Sequence, residues 1–249
     1  MYPRPQLKRE SFFLLNGQWD FAFDDENIGV LEGWSHTVRG DRKINVPFTY
    51  ETGKSGIGDE RPHGVIWYWK NITITNEFKK DQSIQINFEG CDYHLDLWVN
   101  GVYKGSHDGA YTRFAFELGK FAEGEEVLLS IRVEDPHSEE QVRGKQRWLS
   151  DNYGCWYVQT TGIWKDVWLE QVSDDYVEKI KITPDIYKKT VTIHTMCHSN
   201  KENLIMKSDV YFEGKFINSV SGKLEAGVCQ MDIDVYNKYV GEWGIELWS

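Results

Sequence analysis

Short runs in which apolar and polar positions alternate, or in which aromatic and β-branched residues crowd together, follow one another along most of the chain. Ile66 to Thr75 is dense in Trp, Tyr, Ile and Thr. Ser83 to Phe88 alternates with a period of two, and Tyr93, Leu95, Leu97 and Val99 fall on one face of the next run. Val127 to Val133 and Asp166 to Val172 continue the pattern. Side chains on a strand point to opposite faces in turn, so each run predicts a strand with one face buried. Turn pairs separate the runs: Glu89-Gly90, Asn100-Gly101, Asp108-Gly109 and Glu123-Gly124. Asn-Gly is the strongest of these, because both residues tolerate the positive φ that a two-residue hairpin demands. Few windows carry a helical period, and many short strands with regular turns predict an all-β sandwich or jelly roll.

The character of the chain changes near residue 172. Nine of the 11 Trp and every Arg precede that point, and the remainder uses only Lys as its strong base. Ser173-Asp174-Asp175 has turn chemistry. Six further short runs follow: Tyr176 to Thr183, Thr190 to Cys197, Met206 to Phe212, Lys215 to Val220, Val228 to Val235 and Trp243 to Trp248. They predict a small immunoglobulin-like sandwich over 173–249, cut at its C-terminal end, after a larger domain over 1–172.

Composition narrows the classes of function. The 249 residues are 40% apolar, enough for a sizeable core. Lys plus Arg number 28 against 39 Asp plus Glu, a net charge of -11, which argues against nucleic acid and anionic membrane surfaces as partners. No apolar run approaches the roughly 20 residues of a membrane-spanning helix. The first ten residues contain no apolar signal core, so a cytoplasmic location is expected. Cys91, Cys155, Cys197 and Cys229 are widely spaced and are read as reduced thiols.

Several pieces of the first 172 residues, taken in order, resemble glycoside hydrolase family 2, the β-galactosidases, β-glucuronidases and β-mannosidases. They are Tyr2-Pro3-Arg4-Pro5, Leu15-Asn16-Gly17-Gln18-Trp19-Asp20-Phe21, Val46-Pro47, Trp67-Tyr68 and Phe88-Glu89-Gly90. Leu97-Trp98-Val99-Asn100-Gly101, Gly105-Ser106-His107-Asp108-Gly109 and Ile131-Arg132-Val133-Glu134-Asp135 follow. Arg143-Gly144-Lys145-Gln146 and Thr161-Gly162-Ile163-Trp164 through Glu170 complete the set. The resemblance implies a galactose-binding-like jelly roll, the sugar-binding domain, followed by an immunoglobulin-like domain. In the family a (β/α)₈ barrel comes next and carries the chemistry. The implied whole protein is a retaining, exo-acting β-glycosidase, with Mg²⁺ or Na⁺ associated with the barrel and possible homo-oligomer contacts. This chain is expected to need no cofactor, to support the barrel and to shape the substrate mouth.

Retaining hydrolysis requires two carboxyl groups about 5 Å apart across the bond. Both are barrel glutamates in the family, the acid/base preceded by Asn. Asn76-Glu77 is the single Asn-Glu pair here and reads as a surface turn, so no catalytic residue is assigned. For substrate binding the resemblance points to Asp135, a carboxylate able to accept charge-assisted bonds from adjacent hydroxyls. The alternative is a strand-end Asp capping a turn before Pro136. Trp156 and Tyr157 offer flat faces suited to a pyranose, or else pack under the sandwich. Arg143, Lys145 and Gln146 are donors on the same connection, for substrate, barrel or solvent. Trp67 and Trp69 share one strand face, as core or as an aromatic platform. Two readings from other classes stand beside the glycosidase fragment: an independent carbohydrate-binding module, and a structural or oligomerisation module. Loss of a barrel predicts an exposed apolar or aromatic patch.

Overall fold

The computed structural model describes residues 3–136 and 140–237. Two compact units divide the described residues: Arg9–Val172, and residues 173–237 together with 3–8. The first unit contains β1 (Phe12–Leu14), β2 (Gly17–Phe23), β3 (Arg42–Val46), β4 (Val65–Thr73), β5 (Ser83–Phe88) and β6 (Cys91–Asp92). It continues with β7 (His94–Val99), β8 (Val102–Asp108), β9 (Phe114–Gly119), β10 (Glu126–Glu134), β11 (Gly162–Ile163) and β12 (Val167–Val172).

These strands make a jelly-roll sandwich. One sheet runs β1-β12-β5-β9 and the other β3-β2-β4-β10-β7-β8, with a small β11-β6 ribbon beside them. The period of two does the sorting. On β10, Val127, Leu129, Ile131 and Val133 enter the core, where they meet Ile84, Ile86 and Phe88 of the facing sheet. Asn100 and Gly101 take φ of 49° and 78° and join β7 to β8 with Val99 opposite Val102, the tight hairpin that the pair predicts.

Trp67 and Trp69 settle as core, and no exposed aromatic platform exists on β4. Both are 0% exposed, with rings stacked 5.9 Å apart under Trp34. They lie on the face of β4 opposite Tyr68, so a second apolar cluster forms outside the sandwich proper. The 24–38 loop covers it. The Asp24 carboxylate accepts from the backbone of Ile28 at 2.8 Å and Gly29 at 3.0 Å and from Trp67 Nε1 at 2.9 Å. Trp69 Nε1 donates to the Trp34 carbonyl at 2.8 Å. Each indole therefore buries its hydrocarbon without stranding its N–H.

The second unit has β13 (Tyr176–Asp185), β14 (Thr190–His198), β15 (Ile205–Phe212), β16 (Lys215–Lys223) and β17 (Val228–Asp234). Sheet β13-β14-β17 and hairpin β15-β16 pack around Ile193, Cys229, Met231 and Ile233 in an immunoglobulin-like arrangement. The strand expected at Trp243 to Trp248 lies outside the described residues.

Candidate functional site

Between β10 and β11 the first unit carries a long connection, in which residues 140–161 form no regular strand. All six candidate binding residues belong to it or to its root, and the fold divides them into two groups.

Asp135 and Arg143 point inward. Asp135 is 1% exposed, and its backbone N–H donates to the Gly64 carbonyl at 3.0 Å. Its carboxylate accepts from Thr161 Oγ1 at 2.9 Å and from the Gln141 amide. That makes it a clasp joining the two ends of the connection. Arg143 is buried too, and its Nη2 donates to the Arg147 carbonyl at 2.6 Å.

Lys145, Gln146 and Tyr157 come together at the outer rim. The Tyr157 N–H donates to the Lys145 carbonyl at 2.8 Å, and Arg147 N–H to the Tyr157 carbonyl at 2.6 Å. Lys145 is exposed and Tyr157 is 63% exposed. Gln146 is half-buried and acts as a bridge. Its Nε2 donates to Asp92 Oδ2 at 2.7 Å, and its Oε1 accepts from the Thr160 N–H at 3.0 Å. Trp156 is half-buried, its ring edge-on to Trp148 at 4.7 Å across a tight turn in which Trp156 N–H donates to the Tyr153 carbonyl. Trp148, Leu149 and Val142 extend this outer surface as exposed large apolar side chains.

The pins beneath the rim were not foreseen from sequence. Arg147 is buried, and its fork donates to Gln159 Oε1 at 3.0 Å, Asn152 Oδ1 at 3.1 Å and the Glu60 carbonyl at 3.1 Å. Gln159 Nε2 reaches the same carbonyl at 2.8 Å. A planar guanidinium with several donors suits such a junction. Its sequence neighbours, Gln146 on one side and Trp148-Leu149 on the other, give no periodic signal for its burial.

Glu51 and Asp92 were missed as well. They are 6% and 2% exposed, on the turn after β3 and on β6. Burial pushes the Glu51 carboxyl up to about 7, with repulsion from Asp135 adding to it. Thr49 and the Thr161 backbone lie close enough to offset burial in part, yet neither Glu51 oxygen meets a donor at hydrogen-bonding geometry. Burial, then Asp135, raises Asp92 to about 7 against the opposing pull of Gln146 and Arg143. Burial likewise lifts the Tyr50 and Tyr68 hydroxyls and the Cys91 thiol, leaving them neutral.

A raised carboxyl makes folding take up a proton. The stability linked to Glu51 is fully present below about 4.5 and is lost as pH rises through about 7. Urea midpoints are therefore expected to fall between pH 5.5 and 8.5, the Glu51 share worth at most about 3 kcal/mol at about 1.4 kcal/mol per unit, with Asp92, raised likewise, adding to it. Glu51→Gln is expected to reduce that slope, leaving the Asp92 share; a slope unchanged in the variant would assign the proton elsewhere.

Other features fall outside the connection. Glu77 sits in an exposed turn. A groove of about 360 Å³ opens between β1 and the end of β4, lined by Phe13, Leu14, Lys70, Ile72, Ile74 and Phe78, and holds none of the six candidates. His94 pairs with Asp108 at 2.8 Å and Asp96 at 3.4 Å, a satisfied surface network. Among the described residues no group of three or more His, Cys, Asp or Glu is placed to hold a metal ion.

A jelly roll whose long, internally pinned connection shows aromatic and amide groups at its rim is an arrangement suited to carbohydrate. Residues 12–173 match the family described as glycosyl hydrolases family 2, sugar binding domain. That span takes in all twelve strands of the first unit and the whole connection, and the chain belongs to this family. It is similar to a β-glucuronidase of Paenibacillus borealis, 23% identical over 246 residues, covering 93% of this chain and 41% of the relative. A β-galactosidase of Thermoanaerobacterium thermosulfurigenes is 27% identical over 213 residues, covering 84% of this chain and 28% of the relative. In fold, the chain resembles Bifidobacterium dentium β-glucuronidase complexed with coumarin-3-O-glucuronide, with a TM-score of 0.69 and 18% identity, over 95% of this chain and 44% of that one. The chain spans from 16% to 41% of the length of the curated relatives it matches.

Proposed function

We propose that this chain is the non-catalytic front of a retaining, exo-acting β-glycosidase of the β-galactosidase or β-glucuronidase type. It supports a catalytic barrel and lends its 140–161 connection to the substrate mouth. The observation that carries this reading is the two-sided build of the connection. Buried Arg147, Gln159 and Asp135, with half-buried Gln146, hold its inner side, while Lys145, Tyr157, Trp148 and Leu149 are presented outward. A pre-ordered loop loses little entropy on binding, and exposed aromatic faces with adjacent donors suit either a pyranose or a docked barrel surface. The outer apolar patch is what a missing neighbour would leave.

Within this reading Tyr157, Trp156, Lys145 and Gln146 contact sugar or barrel. Asp135 and Arg143 act from beneath, by holding the rim in place. Any Mg²⁺ or Na⁺ belongs with the barrel, and cleavage of the β-linked glycoside is the barrel's work.

The test is turnover of nitrophenyl β-galactoside and β-glucuronide by residues 1–249. No hydrolysis above buffer is expected, because the two carboxylates that retention requires are not supplied. Turnover that survives Glu77→Gln would defeat the reading. Calorimetry with galactose and glucuronate separates the alternative class: a half-site gives no measurable heat, whereas clear affinity marks an independent carbohydrate-binding module.

A further inference from the structure

We propose that Glu51 and Asp92, gathered with Asp135 under the root of the 140–161 connection, form a proton-operated latch that holds the connection down when they are protonated and loosens it when they ionise.

The geometry comes from three separate segments. Glu51 stands on the turn after β3, Asp92 on β6 and Asp135 at the end of β10, and all three are more than nine-tenths buried. The connection lies directly on them. Thr161 donates to Asp135, Gln146 donates to Asp92, and the Thr161 backbone lies beside Glu51. Among the described residues, the other titratable groups facing the cluster include Tyr50 on the Glu51 turn, Tyr68 on β4 and Cys91 on β6, all kept neutral by burial. Arg143, on the connection, is the cation whose field reaches Asp92. Ionising Glu51 and Asp92 would thus place added negative charge in a dry site beside Asp135, where uncompensated charge is costly.

The polarity of the latch follows from what each bond tolerates. The Gln146 amide can donate to Asp92 whether that carboxyl is neutral or charged, so acid does not break the pin. Glu51 is different, since neither of its oxygens has a donor at hydrogen-bonding geometry. Once ionised, it gains hydration only if the cover lifts. The cover is the connection, which is tied down by side-chain bonds rather than by a sheet ladder. Opening it exposes the carboxylates while leaving the sandwich intact.

The latch concerns the connection itself. Its consequence for glycoside handling rests on the proposed role of that connection at a substrate mouth. If that role holds, alkaline pH loosens the rim formed by Lys145, Gln146 and Tyr157.

The test is hydrogen exchange of the 249-residue chain from pH 5 to 8.5, with rates corrected for intrinsic exchange. The reporters are the Arg147 and Tyr157 amides, which bond across the connection. Their protection is expected to fall as pH rises toward about 7, by up to roughly tenfold per pH unit for each proton released on opening, and to level off above that. Amides in the middle of β10, such as Ile131, exchange through global unfolding and should stay more protected than these reporters throughout. Glu51→Gln should remove part of the slope. Asp92→Asn, which keeps an acceptor for Gln146, serves as the second variant and should reduce it. Flat protection in the wild type, or a slope undiminished in the variants, overturns the latch. Either result leaves the glycosidase reading standing, and detection of turnover by the isolated chain would leave these protection factors unchanged.

Discussion

Gly162→Ala is expected to destabilise the first unit by about 3 kcal/mol or more, the sum of a left-handed backbone and a blocked Cβ. Gly162 begins β11 with φ of +95°. An alanine Cβ there would overlap Tyr68 Oη and lie 2.9 Å from Ile66 Cδ1 and 3.1 Å from Tyr68 Cζ. Tyr68 has no room to retreat. It is 0% exposed, its ring packs against Phe21 at 5.2 Å and Trp19 at 6.5 Å, and its hydroxyl accepts from the Ile163 N–H at 3.3 Å. Gly17→Ala provides the control, because Gly17 has φ of +110° but nothing within 4 Å of the built Cβ. That variant should lose only the backbone contribution, about 1 kcal/mol. Equal urea midpoints for the two would show that the close approach to Tyr68 does not matter.

Arg147→Met is expected to release the connection without unfolding the sandwich. The substitution leaves the buried Gln159 Oε1 without its donor, at about 1–3 kcal/mol, and removes the tie to the exposed Asn152. Part of that cost is escaped by local opening, which the absence of a sheet ladder makes easy. Tryptic cleavage after Lys145 reports the opening. It should accelerate about 100-fold for some 2.7 kcal/mol of lost local stability, at about 1.4 kcal/mol per tenfold. The far-ultraviolet spectrum should keep its strand signal. Arg147→Lys should be nearly as open, since one ammonium cannot reproduce a planar fork spread over three acceptors. A lysine variant cut at the wild-type rate would reduce Arg147 to a simple positive charge.

Both expected results turn on residues that a linear reading places poorly. Gly162 is visible in sequence within Thr161-Gly162-Ile163-Trp164, but its necessity comes from Tyr68, which is far away in the chain. Arg147 is an arginine among Gln, Trp, Leu and Ser, and its burial comes from Gln159, Asn152 and Glu60 closing around it.

Asp135 shows the same division. Its place at the end of a strand was legible, because Val127 to Val133 alternates cleanly before it. Whether its carboxylate meets a sugar hydroxyl or a neighbouring side chain depends on Gln141 and Thr161, which return to it from both ends of the connection. Tyr157 and Trp156 are adjacent aromatics of equal promise in sequence. The bridge to Lys145 turns one outward, and the turn at Tyr153 tucks the other against Trp148.

By itself the amino-acid order determined the all-β class, the tight Asn100-Gly101 hairpin and the change of character near residue 172. These are set by period-two burial and by local φ preferences, which act over a few residues. Tertiary structure alone decided which face of β4 became core and which was sealed by the 24–38 loop. It also decided that Glu51, Asp92 and Asp135 share one dry site and that the rim of the connection is held from below. Such outcomes depend on desolvation and partner geometry between distant segments, and no short-range pattern encodes them.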